Sequence, residues 1–206
     1  QERQQQFLDQ ARRQFEEEAK LLYELRHPGL PRVIDYFDEP GRGQFMVMDF
    51  IEGQSLADLL EEWGGPLPEA EALYYIRQVA GALDYLHSRT PSIIHRDVKP
   101  ANIILAADNQ VFLVDFGIAK INVGDAKSSR NLRGTSSGFS PPEQYDPRVP
   151  TTPRSDIYAL GATLYTLLTY TGRYEDELLE APARSSHLEA TRPPHEKNGA
   201  ISEQTS

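Results

Sequence analysis

The stretch HRDVKPANIIL, from His95 to Leu105, places an acid, two bases, a proline and an amide within eight residues and then becomes apolar. Asp97 can accept a proton from a hydroxyl group or orient that group, and Lys99 can neutralise an anion at the same place. Asn102 adds a carbonyl oxygen of the kind that binds a hard cation. The stretch therefore predicts a chemical site on a loop, where rigid neighbouring elements commonly hold reactive groups.

A second carboxylate follows Asn102 thirteen residues later, in the run VFLVDFG. This is Asp115, and the nearby Gly117 gives the backbone freedom to place it, so Asn102 and Asp115 together can hold Mg²⁺ through oxygen ligands. Carboxylate, ammonium and magnesium around one point are typical of phosphoryl transfer. A hydrolytic metal site is the alternative, but it would usually use His pairs at helical spacing, and the sequence contains none.

Composition excludes several classes of function. The 206 residues are 39% hydrophobic and 25% charged, which is ordinary for a globular protein. A net charge of -10 argues against nucleic acid as a partner. The absence of cysteine removes disulfides, thiolate chemistry and Cys-ligated metals, and it fits a cytoplasmic protein. The longest apolar stretch, YALGATLYTLL, is too short to span a bilayer, so we expect no membrane segment in this chain.

Hydrophobic spacing in the first quarter of the chain predicts a helix followed by a hairpin. Apolar residues recur at helical spacing from Phe7 to Leu25, and HPGLP then ends the helix. Glu18 falls within this apolar stripe, either as a partly solvated edge residue or as a functional carboxylate. The runs RVIDYF and QFMVMDFI, separated by DEPGRG, predict paired strands.

Further along, the spacing predicts a long helix, a second pair of strands and a last helix. The long helix begins near Pro68, and its predicted buried stripe consists of Leu73, Ile76, Ala80, Leu83 and His87. Short strands flank the turn AADNQ, and RSDIYALGATLYTLLT predicts the last helix. The tail from Tyr170 onward, rich in Pro, Glu and Ser, is a candidate for disorder.

These motifs resemble those of the protein kinases, and they occur in the same order. HRDVKPAN resembles the catalytic loop H-R-D-x-K-x-x-N, DFG the magnesium motif, and PPEQY, from Pro141 to Tyr145, a variant of A-P-E. VMDFIEGQSLADLL, GTSSGFSPPEQY and RSDIYALGATLY are similar to the eukaryotic-like serine/threonine kinases of bacteria. The resemblance implies an α+β, bilobal fold, with a partial N-lobe of helix αC plus a β-hairpin and a mainly helical C-lobe.

The resemblance also implies roles for individual residues. Asp97 would be the catalytic base for the substrate hydroxyl, and Lys99 the contact to the transferred phosphate. Asn102 and Asp115 would be the magnesium ligands. Glu18 matches the αC glutamate that pairs with an ATP-holding lysine on the preceding strand of the family's N-lobe.

Further residues match the family's adenine site. Met48 aligns with the gatekeeper, Asp49 to Ile51 with the hinge whose backbone meets adenine, and Ile104 with the apolar residue beneath the base. Plain core packing is the alternative for these positions. Asp156 matches the αF aspartate that receives backbone N–H groups from the catalytic loop.

The serine/threonine class is implied by Lys99 followed by Pro100, and by Thr135 in RGTSS. Arg96 matches the arginine that binds a phosphate on the activation segment, which makes autophosphorylation a candidate reaction. A solvated serine-rich loop is the alternative for this segment. The candidate phosphosites are Ser128, Ser129, Thr135, Ser136 and Ser137.

The resemblance divides the chain into residues 1–52, a partial N-lobe with αC, strands and hinge; 53–170, the C-lobe; and a weakly patterned tail, 171–206. Three features of the family are not found in these residues: the Gly-rich loop, the lysine-bearing strand and the C-terminal helices. Those helices normally supply an arginine for the glutamate that matches Glu143, so we expect Glu143 to be a weak point. We expect this chain alone to be inactive or weakly active.

The resemblance implies a cytoplasmic serine/threonine protein kinase that uses ATP and Mg²⁺ to phosphorylate protein substrates. One hypothesis is a truncated copy of a kinase whose complete form is active. A second is a catalytically impaired binding module of kinase shape, opposed by the presence of Asp97, Asn102 and Asp115. A third is a kinase-fold small-molecule phosphotransferase, but those enzymes lack the PPEQY and αF features.

Overall fold

The structure is a computed structural model that describes residues 12–13, 15–17, 19–39, 41–115, 138–145, 148–171, 193–202 and 204–205. Helix α1 comprises the helical residues 12–13, 15–17 and 19–23. The elements that follow are β1 (Val33–Glu39), β2 (Gly43–Met48), β3 (Gln54–Ser55), α2 (Leu56–Trp63), α3 (Glu69–His87), β4 (Ile103–Leu105), β5 (Val111–Leu113), α4 (Pro153–Thr169) and α5 (Pro194–Lys197). Short 3₁₀ turns span Pro100–Asn102 and Pro142–Tyr145.

Strands β1 and β2 form the antiparallel hairpin that the sequence predicts. Gly41 in its turn has φ 81° and Gly43 at the start of β2 has φ 116°, backbone conformations that glycine adopts far more readily than other residues. Phe37 lies opposite Phe45, and the two rings stack with their centroids 5.5 Å apart. This cross-strand pair stabilises the hairpin register.

A second sheet, in the order β3-β4-β5, holds the segment that precedes the predicted magnesium aspartate. Ile104 pairs with Ser55 on one side and with Phe112 on the other. Gly53, just before β3, lies so close to the Leu105 carbonyl that a side chain there would collide with it. The sheet therefore joins the end of the predicted hinge to the strand that follows the HRDVKPAN loop.

Helix α3 begins after Pro68, as predicted, but buries a face that is rotated from the predicted stripe. Of the predicted residues, Ile76 and Leu83 are buried, whereas Leu73, Ala80 and His87 are half-buried. The reason is that α3 packs against both α4 and β5, which draws a neighbouring row of side chains into the core. The buried residues are Ala72, Tyr75, Ile76, Val79, Ala82, Leu83 and Leu86.

Helix α4 starts with a capping box between Thr152 and Ser155, followed by Pro153 in the first turn. Three buried threonines near its middle and end donate their hydroxyls to the backbone carbonyl four residues earlier. Those bonds satisfy polar groups that would otherwise be costly to bury. The three are Thr163, Thr166 and Thr169.

Part of the predicted tail packs against the helices, which differs from the expectation of disorder. Asn198 donates from Nδ2 to the Leu168 carbonyl at 3.0 Å, and Ile201 joins the core at 7% exposure. Ser202 and Thr205 donate to the Glu69 carboxylate, and these hydrogen bonds lower the pKa of Glu69. Residues 172–192 of the tail lie outside the described residues, and the predicted boundaries at residues 52 and 170 remain predictions.

No described helix combines the length and the apolar character that crossing a membrane requires.

Candidate active site

The backbone of the HRDVKPAN loop is anchored by the buried carboxylate of Asp156, near the start of α4. Asp156 is 0% exposed and accepts hydrogen bonds from the N–H of His95 at 2.9 Å and of Arg96 at 2.7 Å. The Nε2 of His87, at the end of α3, lies 2.7 Å from the same carboxylate. Three donors thus compensate the desolvation of a buried acid, as the role predicted for Asp156 requires.

The His95 side chain links this loop to the strand that leads to Asp115. Its Nε2 lies 3.1 Å from the Val114 carbonyl, and its Nδ1 accepts from the Asp97 N–H at 3.4 Å. Both contacts fit a neutral ring that carries its proton on Nε2. Burial lowers the pKa of His95 and outweighs the opposing charges of Asp156 and Asp97, so the neutral ring is the stable form in the folded protein.

The structure brings Asp97, Lys99 and Asn102 together, as the sequence predicts. The Lys99 Nζ lies 3.1 Å from Asp97 Oδ2. Asn102 donates from Nδ2 to the same carboxylate oxygen at 2.9 Å and to the Asp97 backbone carbonyl at 2.8 Å. An amide and an ammonium therefore fix the Asp97 carboxylate, which is 17% exposed, in one orientation.

Asp115 directly follows Val114, whose N–H donates to the Asn102 carbonyl at 2.9 Å, so the backbone that carries Asp115 runs next to Asn102. Asp115 itself has φ 57°, a left-handed conformation that is uncommon outside glycine, and its side chain is exposed. Both amide hydrogens of Asn102 are directed to Asp97, so its Oδ1 is the atom that can ligate a cation. Two oxygen ligands of this kind fit Mg²⁺.

The alternative, a hydrolytic metal site, would need a cluster of metal-binding side chains in the part of the chain that the structure describes. No group of three or more His, Cys, Asp or Glu residues suited to holding a metal occurs there.

The residues predicted for the adenine site lie at the end of β2 and on β4. Met48 ends β2, and Asp49 donates its N–H to the Arg32 carbonyl at 2.9 Å. The Arg32 side chain binds the Asp49 carboxylate at 2.9 Å, and this hydrogen bond lowers the pKa of Asp49. Ile51 and Ile104 are half-buried. Ile51 lies two residues before Gly53 in the sequence, and the Ile104 side chain lies against Gly53 in space.

Several predicted residues lie outside the described residues. Glu18 is one of them, so its predicted pairing with a lysine stays a prediction. The same holds for Gly117 and for all five candidate phosphosites.

Two contacts in this region were not predicted from the sequence. Glu143 was expected to be a weak point for want of an arginine, but Ser155 donates its hydroxyl to Glu143 Oε1 at 2.6 Å. Gln144 donates from Nε2 to the Arg96 carbonyl at 3.1 Å. Both the acceptor Glu143 and the donor Gln144 belong to the motif PPEQY. No spacing in the sequence indicates that Ser155 and Arg96 are their partners.

A carboxylate, an ammonium and an amide thus lie together on one loop, and a second carboxylate follows the neighbouring strand, in the arrangement that the protein kinase motifs predict. The sequence profile of the family described as "Protein kinase domain" matches residues 1–198. The chain therefore belongs to the protein kinase family, and the predicted kinase-like fold is confirmed.

The chain is similar to bacterial serine/threonine kinases. It is 39% identical to serine/threonine-protein kinase pkn2 of Myxococcus xanthus over 162 residues, which are 75% of this chain and 19% of that protein. It is 35% identical to PknB of Mycobacterium leprae over 161 residues, 75% of this chain and 25% of that protein. The chain thus spans about a fifth to a quarter of the length of these relatives.

Among solved structures, the fold is similar to the kinase domain of Mycobacterium tuberculosis PknI, crystallised as a point mutant. The TM-score is 0.59 at 30% sequence identity, and the match covers 78% of this chain and 57% of that one. This likeness confirms a partial kinase fold.

Proposed function

We propose that the protein is an ATP-dependent serine/threonine kinase that transfers the γ-phosphate of ATP to Ser and Thr hydroxyls of proteins. The observation that carries the proposal is the Asp97 carboxylate, held at 3.1 Å by Lys99 and at 2.9 Å by Asn102 on a loop anchored to buried Asp156. This arrangement supports phosphoryl transfer, because in that reaction the enzyme contributes mainly geometry and charge neutralisation.

Each residue of the site has a distinct role in this proposal. Asp97 orients the acceptor hydroxyl and accepts its proton as the oxygen attacks the γ-phosphorus, and the bond from that phosphorus to the bridging oxygen breaks to release ADP. Lys99 would contact the transferred group and stabilise its negative charge. Asn102 and Asp115 would hold Mg²⁺, which when bound neutralises charge on the ATP phosphates. Met48, Asp49, Ile51 and Ile104 would bound the adenine site.

The acceptor class is supported by the names of the relatives and by Lys99 followed by Pro100. Protein substrates, including a second copy in autophosphorylation, belong to this proposal. A cytoplasmic location is also part of this proposal, and the cysteine-free composition supports it. The negative net charge argues against nucleic acid as a partner.

The test is transfer of labelled γ-phosphate from Mg²⁺-ATP to a generic protein substrate by the purified protein, followed by phosphoamino-acid analysis. We expect phosphoserine and phosphothreonine, formed slowly in line with the weak activity expected for this chain, and a fall of at least about a hundredfold in rate for Asp97→Asn, because the amide cannot accept the proton. Asp84→Asn, at an exposed position on α3, is the matched control and should keep the full rate.

Two outcomes would contradict the proposal. Equal rates for the Asp97→Asn and Asp84→Asn variants would show that Asp97 is not the base. Binding of Mg²⁺-ATP without transfer to any protein substrate would favour the binding module.

A further inference from the structure

Arg96, directly before Asp97, has an unusual backbone conformation. Its φ is 69°, in the left-handed region that L-residues with a Cβ rarely adopt. Such a conformation persists when surrounding contacts hold it in place. The contacts that hold it therefore also determine where Asp97 projects from the loop.

Both backbone polar groups of Arg96 are held by side chains from other elements. Its N–H donates to Asp156 Oδ1 at 2.7 Å, on α4. Its carbonyl accepts from Gln144 Nε2 at 3.1 Å, on the 3₁₀ turn Pro142–Tyr145. The first contact matches the role predicted for Asp156, whereas the second was not predicted.

The Gln144 contact acts on the peptide group that carries Asp97. The Arg96 carbonyl and the Asp97 N–H belong to one planar unit, so fixing the carbonyl fixes the plane. A second contact on that plane, from the Asp97 N–H to His95 Nδ1, is long at 3.4 Å. Gln144 is thus the better placed of these two partners to orient the plane.

Gln144 belongs to a turn that is itself bonded to α4. Its neighbour Glu143 accepts from the Ser155 hydroxyl at 2.6 Å, and Ser155 directly precedes Asp156. The chain of contacts therefore runs from Arg96 through Gln144, Glu143 and Ser155 to Asp156 and returns to Arg96. A closed circuit of this kind holds its members more firmly than separate bonds would.

We propose that Gln144 is a positioning residue that orients the Arg96–Asp97 peptide and so sets the direction of the Asp97 carboxylate. Its effect on catalysis rests on the proposed kinase function. Its effect on the orientation of the peptide does not depend on that function, so the peptide orientation and the catalytic effect are tested separately.

The peptide itself can be observed selectively, because Arg96–Asp97 is the one Arg-Asp pair in the sequence. Labelling arginine with ¹³C at the carbonyl and aspartate with ¹⁵N leaves a single one-bond carbonyl–nitrogen correlation, which reports on this peptide. Gln144→Met keeps the length of the side chain and removes the donor. We expect the Arg96 carbonyl resonance to move upfield in this variant.

The matched control is Gln44→Met. Gln44 also donates from Nε2 to a backbone carbonyl, that of Arg12, at the same distance of 3.1 Å, but away from the loop. This variant should leave the resonance in place. An unchanged resonance in Gln144→Met, or the same shift in both variants, would overturn the proposal. If Gln144→Met fails to fold, a scalar coupling through the hydrogen bond from Gln144 Nε2 to the Arg96 carbonyl in the unsubstituted protein decides the question.

The kinetic arm measures kcat and the KM for ATP. A misdirected base should lower kcat about ten- to a hundredfold in Gln144→Met while KM for ATP changes less than about twofold, because the nucleotide contacts lie elsewhere. Equal falls in the two glutamine variants would count against Gln144. If the unsubstituted protein shows no transfer while the resonance shifts as expected, the kinase proposal fails and the positioning role stands.

Discussion

At the scale of single residues, the side chain of the fully buried Asp156 only accepts hydrogen bonds, whereas that of its neighbour His95 must both accept and donate. Asp156 is surrounded by donors, whereas His95 uses Nδ1 as an acceptor and Nε2 as a donor and therefore must stay neutral. A proton on Nδ1 would turn the Asp97 N–H contact into a repulsion between two donors. The geometry and the lowered pKa of His95 agree on this point.

The pH dependence of stability follows from the lowered pKa of His95. Below the ordinary histidine pKa of about 6.5 the unfolded chain binds a proton that the folded protein does not, so the free energy of unfolding falls as the pH falls through that value. We expect a steeper decline between neutral and mildly acidic pH in the unsubstituted protein than in His95→Gln. Urea unfolding at a series of pH values measures it, and parallel curves would contradict the expectation.

At the scale of elements, the start of α4 holds two other segments at once. Ser155 accepts from the Thr152 N–H at 3.1 Å as part of the capping box, and it donates to Glu143 at 2.6 Å. Asp156, the next residue, holds the catalytic loop. The helix N-terminus thus fixes the relative position of the loop and the 3₁₀ turn.

Ser155→Ala should remove both bonds. The loss of a cap typically costs about 0.5–2 kcal/mol, and leaving Glu143 without this donor adds to the cost, so we expect the free energy of unfolding to fall by about 2 kcal/mol. Ser88→Ala, at the exposed C-terminal end of α3, is the control and should change it by less than about 0.5 kcal/mol. Equal, small effects from the two substitutions in chemical denaturation would refute the double role of Ser155.

The elements themselves were largely predictable, because each depends on local signals. DEPGRG predicts the hairpin turn, and Pro68 marks the start of α3. The face that α3 buries was predicted only in part, since it depends on α4 and β5 packing against it from two sides. The same reason explains why His87 and Gln144 were missed as partners of the loop: each meets a residue that is distant in sequence.

At the scale of the whole molecule, one core connects the sheet β3-β4-β5, helices α2 to α4 and the packed part of the tail. Leu56, Leu83 and Leu168 are each 0% exposed within it, and Ile201 closes it near the end of the described chain. The candidate site borders this core through Asn102 and His95, both buried, while Asp97 and Asp115 reach solvent. The buried half of the site therefore lies against the core, and its reactive half faces outward.

The anchoring of the loop by Asp156 has a consequence for native-state hydrogen exchange. The amides of His95 and Arg96 lie in a segment without regular secondary structure, yet both donate to the buried Asp156 carboxylate in the first turn of α4. They can exchange with solvent when the loop separates from α4, so we expect their protection factors to match those of the α4 interior. The Gln110 amide, which donates to Asp108 in an exposed turn, should exchange much faster and serves as the reference. If all three amides exchanged at the rate of that turn, the loop would open independently; matched protection would place it in the same cooperative unfolding unit as the helix.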